Sequence, residues 1–88
     1  MASYVVRIWD LDSITKERET THRTSPAAFN AFELAVYDVL AAFGKLDTQA
    51  GYFAMEAARK AQDIMQVGED RGVTVSNTGK SVKILRVA

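Results

Sequence analysis

Eighty-eight residues with no cysteine, eleven basic and eleven acidic side chains and a formal net charge of zero suit one domain with a thin core and no disulfide frame. Thiol catalysis and cysteine-ligated zinc are thereby excluded, and neutrality argues against both a polyanionic DNA mimic and a strongly basic DNA-binding arm. No charged n-region leads into a continuous apolar run, and Asn30, Glu33 and Asp38 interrupt the longest apolar stretch, so neither a signal peptide nor a membrane span is expected and the cytoplasm is the expected location.

Ser3 to Trp9 (SYVVRIW) is β-branched and aromatic, as a strand requires. Alternation sends Tyr4, Val6 and Ile8 to one side and Val5, Arg7 and Trp9 to the other. The first set is the core face, because Arg7 would be costly inside. Asp10 to Ser13 supplies turn chemistry. Ile14 to Thr24 is Thr-rich and polar on both faces. It reads as a second, edge strand guarded by its charges, with a mobile loop as the alternative.

Ser25 to Gly44 is the organising stretch. Ser25 reads as its N-cap, Pro26 as its first helical residue and Gly44 as its left-handed stop. Phe29, Phe32, Val36, Val39, Leu40 and Phe43 share one helical face. Leu34, Tyr37 and Ala41 form an apolar surplus on the other side. After a short break, Asp47 or Thr48 caps a second helix that Gly68 is expected to close. Its apolar stripe reads as Ala50, Phe53, Ala54, Ala57, Ala61, Ile64 and Met65. Tyr52 and Met55 lie towards its polar side, and Glu56 and Lys60 stand in the favourable i,i+4 order. The short connection makes the two helices antiparallel neighbours.

Arg71 to Ala88 then reads as a hairpin turning at Asn77-Thr78-Gly79. The order β-β-α-α-β-β predicts a single α+β domain over residues 1–88, a four-stranded, mostly antiparallel sheet with a two-helix hairpin on one face. Strand order cannot be read from the pattern.

Chemistry-bearing motifs are few. Gly79-Lys80-Ser81 copies the end of a phosphate loop, but Thr74 stands where the first glycine should be, and a strand follows in place of a helix. His22 is the only histidine and has only carboxylates to complete a metal site. Glu17 and Glu19, like Asp10 and Asp12, fit solvated charges and turn chemistry better than a catalytic pair. No catalytic residue, metal site or cofactor is expected.

Charge distribution is more informative than its sum. Arg71, Lys80, Lys83 and Arg86 are the only charged residues from position 71 onward; with a total of zero, the first seventy residues carry −4. On the sheet face away from the helices, Arg7, Trp9, Lys83 and Leu85 are expected to gather beside Val5 and Val87. Such a face fits a protein partner, since Trp and Arg dominate binding hot spots. It could also hold nucleic acid, with bases stacked on Trp9 and phosphates on the basic C-terminal hairpin. The bland alternative is that Trp9 merely closes over the sheet.

The expected function is therefore stoichiometric, non-enzymatic binding to a protein partner. Arg7, Trp9, Lys83 and Leu85 would form one contact set, and Leu34, Tyr37 and Tyr52 another. The first helix is also expected to offer a homodimer surface, and nucleic-acid binding through the C-terminal hairpin is the alternative. In size and composition alone, the chain is similar to the small adaptor or inhibitor proteins of bacteria and their phages.

Overall fold

The computed structural model describes all 88 residues in the order β1 (Tyr4–Asp10), β2 (Thr15–His22), α1 (Ser25–Ala42), α2 (Gln49–Lys60), β3 (Asp70–Val75) and β4 (Lys80–Arg86). The strands form one sheet in the order β2-β1-β4-β3, and every neighbouring pair is antiparallel. The two strands with the strongest apolar alternation, β1 and β4, therefore take the centre. Residues 15–22 are a strand rather than a loop, at one edge, and all but His22 are exposed. Its polarity suits an edge that meets water.

Both helices cover the same face. Val6 lies opposite Ile84, Ile8 opposite Val82 and Val73 opposite Val82, so these side chains form one apolar floor. On it sit Phe29, Phe32, Val36, Val39 and Leu40 of α1, within one core of 17 buried residues. Burial of a side chain of this size contributes about 1.5–3 kcal/mol, which makes α1 the main source of stability. The molecule is only 15 Å deep along its shortest axis, as two layers dictate.

The α1 cap lies one residue earlier than expected. Thr24, in extended conformation, accepts from the Ala27 N–H at 3.3 Å, and Ser25 begins the helix. Phe43 belongs to the C-cap, at the rim of the core, and is 44% exposed rather than buried.

The second helix departs further. It ends at Lys60, not at Gly68, and its buried stripe is Gly51, Ala54 and Ala58. Phe53 and Ile64 are exposed, and Ala50 and Ala57 face solvent. Two physical causes account for this. The helix rolls onto its smallest residue: a Cβ at position 51 would lie 2.1 Å from the Lys45 carbonyl oxygen. The chain must also descend from the helix layer to the sheet before Asp70, and residues 61–69 make that descent. Met65 is buried on the way, and two sheet arginines hold the segment. Arg71 donates to the carbonyls of Ala61 and Ile64, and Arg86 to that of Met65. Glu56 pairs with Arg59 at 3.1 Å rather than with Lys60.

Candidate protein-binding surfaces

The uncovered face of the sheet is set by the pairing register. Arg7 stands directly opposite Lys83, Trp9 opposite Ser81 and Val5 opposite Leu85. The four residues Arg7, Trp9, Lys83 and Leu85 therefore do meet on one surface, with Glu19 and Lys16 beside them from β2. No layer covers them, yet Val5 and Ser81 are buried, because the longer neighbours lean over them.

Two like charges directly opposite on central strands repel each other. The structure eases this in two ways. Glu19 lies 3.6 Å from Arg7 and also binds Lys16. Hydrogen bonding to Lys16, with a smaller contribution from Arg7, holds the Glu19 carboxyl below its ordinary range despite some loss of hydration. Across the pair, the Lys83 stem lies against Gly72, where a Cβ would come within 3.3 Å of Lys83 Cγ. The missing side chain at position 72 gives the lysine room to lean away from Arg7. Lys83 makes no ion pair and is exposed.

At one end of this face Trp9, Leu11, Ile14 and Lys83 border a recess of about 240 Å³. The β1–β2 turn forms its wall. Asp10 holds the turn by accepting from the Asp12 N–H at 3.0 Å and the Ser13 N–H at 3.4 Å. Those bonds, the Asp12 one above all, together with Lys80, keep its carboxyl below the ordinary value. Ile14 closes the turn at φ +53 and is 80% exposed. A β-branched residue is strained in this region, which normally takes glycine or asparagine. The sequence reading placed a turn here but not its apolar tip of Leu11 and Ile14.

The other three expected contact residues lie elsewhere. Leu34, Tyr37 and Tyr52 are each about half exposed, on the outer surface of the helix layer. Leu34 and Tyr37 border a groove shared with Met55 and Arg59 of α2. Arg59 bridges the helices there, 3.1 Å from Glu33. The seven candidate residues thus lie on two surfaces, on opposite sides of the sheet.

The basic C-terminal hairpin is rearranged by the fold. Arg71, Lys80 and Arg86 all project to the helix side, opposite Ile84, Asp10 and Tyr4. Arg71 binds Glu69 at 3.0 Å besides its carbonyls, and Arg86 lies 5.7 Å from the Tyr4 ring centre. Lys80 is held by Asp10 and Glu17; hydrogen bonding to Glu17, then to Asp10, raises its pKa. Of the four C-terminal cations, only Lys83 reaches the open face.

His22 bonds Thr20 at 2.8 Å, and no cluster of three His, Asp or Glu side chains could hold a metal ion. Gly79-Lys80-Ser81 forms the turn into β4: Gly79 is left-handed and its carbonyl accepts from the Leu11 N–H at 2.8 Å. No helix is long and apolar enough to cross a membrane. Comparison with family models, curated proteins and solved structures gives no significant match.

Proposed function

We propose that this chain is a non-enzymatic binding protein that associates stoichiometrically with a protein partner through the open sheet face. The observation that carries the reading is the surface of Trp9, Arg7, Lys83 and Leu85, ending in the recess at Leu11 and Ile14. An aromatic and an arginine, with Leu85 on one side and Leu11 and Ile14 on the other, are the residue types that anchor interfaces, and Lys83, Lys16 and Glu19 beside them supply a polar rim. Rigid central strands fix their spacing, so little conformational entropy is lost on docking. A carboxylate on the partner would relieve the facing Arg7 and Lys83 charges, while an apolar side chain fills the recess. Action as an adaptor or inhibitor in a bacterial or phage setting, in the cytoplasm, is consistent with the chain's size and neutrality.

Nucleic-acid binding is the second reading, and one observation weighs against it. It relied on four C-terminal cations, and three are turned inward to acids, carbonyls or an aromatic ring. The test is capture from host lysate on immobilised chain, comparing wild type with Trp9→Ala and Lys83→Glu. One protein retained by wild type and lost with both variants, each still folded, is the expected result. Equal retention by all three would discard the sheet face.

A further inference from the structure

We infer that the chain self-associates by pairing β3 with β3 of a second copy, extending the sheet across a two-fold axis. The two edges of the sheet are built differently. At β2, consecutive charges Lys16, Glu17, Arg18 and Glu19 and a register shift opposite Ile8 and Trp9 discourage a further strand. At β3 the guard is thinner: its charges are confined to Asp70 and Arg71 at its start, Arg71 is turned to the helix side and paired with Glu69, and Gly72 to Gly79 contains no charged residue.

The ladder shows which main-chain groups are free. Arg86 N–H donates to the Glu69 carbonyl, so 69, 71, 73 and 75 occupy the hydrogen-bonded positions facing β4. Asp70, Gly72 and Thr74 therefore direct their main-chain groups outward. Antiparallel self-pairing centred on Val73 sets Gly72 against Thr74 of the second copy. It sets Asp70 against Ser76 and Arg71 against Val75, so no like charges meet. An edge that is uncharged from Gly72 to Ser76 and self-complementary in this register fits a second copy better than a charged partner strand.

A second observation points the same way. Above this edge lies a groove of about 540 Å³ bounded by Ala50, Phe53 and Ala57 of α2 and by Gly72, Thr74 and Ser76 below. These α2 residues are the ones expected in the core and found exposed. A two-fold axis normal to the sheet brings both copies' α2 helices to the same face, where each Phe53 can cover the other's alanines. The isolated edge and the uncovered helix flank are thus buried by one symmetric contact.

The test is sedimentation of wild type, Thr74→Lys and Phe53→Glu over a wide micromolar range, with residue-resolved amide exchange. Thr74 and Phe53 are exposed, so neither change empties the core. Wild type is expected to dimerise, with Gly72 and Thr74 amides gaining protection as concentration rises. Each variant should weaken the dimer at least about tenfold, a loss of about 1.4 kcal/mol or more. A wild type that stays monomeric at several hundred micromolar overturns the inference. So does a dimer indifferent to both variants but broken by Tyr37→Glu, which would place the contact on α1. Protection of Gly72 and Thr74 only when a foreign protein is added overturns it too.

Discussion

At the scale of single residues, the charges that matter most are those that stitch segments together. Glu69 accepts from the Gln66 N–H at 2.9 Å and from Arg71 at 3.0 Å, closing the 61–69 segment onto the sheet. The Gln66 bond above all, with Arg71 next, lowers its pKa against a smaller opposing effect of lost hydration. A carboxyl lowered in the folded state adds stability that is complete above its unfolded value of about 4.3 and is lost as pH falls through the folded value. Asp10 behaves likewise, whereas the raised pKa of Lys80 gives stability that is lost only at strongly alkaline pH. The wild-type melting temperature is therefore expected to fall more steeply below about pH 4.3 than that of Glu69→Gln, which has no such proton to take up. Circular-dichroism melts between neutral and strongly acid pH measure it; parallel curves would show that the charge of Glu69 contributes nothing to folding.

At the scale of elements, legibility in the sequence depended on whether a local pattern also decided the packing. In β1 it did: Arg7 is too costly to bury, so the Tyr4, Val6, Ile8 face had to be the core, and it is. In α1 the same holds for Phe32 and Val36, fully buried on the expected face. In α2 the spacing implies a definite stripe through Ala50, Phe53, Ala54 and Ala57, yet alanines occur on several sides of this helix and burying any of them costs little. The deciding residue was instead Gly51, whose contact with the Lys45 carbonyl turns the helix and leaves Phe53 outside. No spacing rule conveys a backbone contact made by an absent side chain. Nor could it convey that Arg71 and Arg86, read as a free basic surface, would be used to hold main-chain carbonyls. Gly51→Ala provides a sign test. In an exposed helix interior it would stabilise by about 1 kcal/mol. Here the added methyl meets backbone that cannot swing away, and overpacking of this kind costs about 1–3 kcal/mol. Urea denaturation should show net destabilisation; a more stable variant would mean that α2 can lift from Lys45 freely.

For the whole molecule, the fold divides the work between surfaces by consuming charge. The basic C-terminal stretch from Arg71 to Ala88 has no acids of its own, so its partners must come from elsewhere in the chain, and the sheet register supplies them. Asp10 and Glu17 reach Lys80, while Glu69 and main-chain carbonyls reach the arginines. The ion pairs of Arg71 and Lys80 thus tie the C-terminal strands to the 61–69 segment and to β1 and β2, while Asp12, Asp47, Asp63 and Asp70 make no ion pair. What remains on the open face is Arg7, Lys16 and Lys83 with Glu19 shared by the first two, a net of two positive charges. This limits the salt dependence of any binding there. Each phosphate contact contributes a slope of about −0.7 to −0.9 in log affinity against log salt. Two contacts give a slope of about −1.4 to −1.8, and so few contacts supply little affinity, because phosphate contacts provide most of nonspecific binding. Fluorescence anisotropy with labelled single- and double-stranded oligonucleotides is therefore expected to show weak binding at low salt and none near 150 mM. A slope near −3 or steeper that survives substitution of Arg23, Lys45 and Lys60 by Gln would require Arg71, Lys80 and Arg86 to leave their partners. Such a slope would restore the nucleic-acid reading, because those cations would then gain more from phosphate than from the loop and turn they now hold.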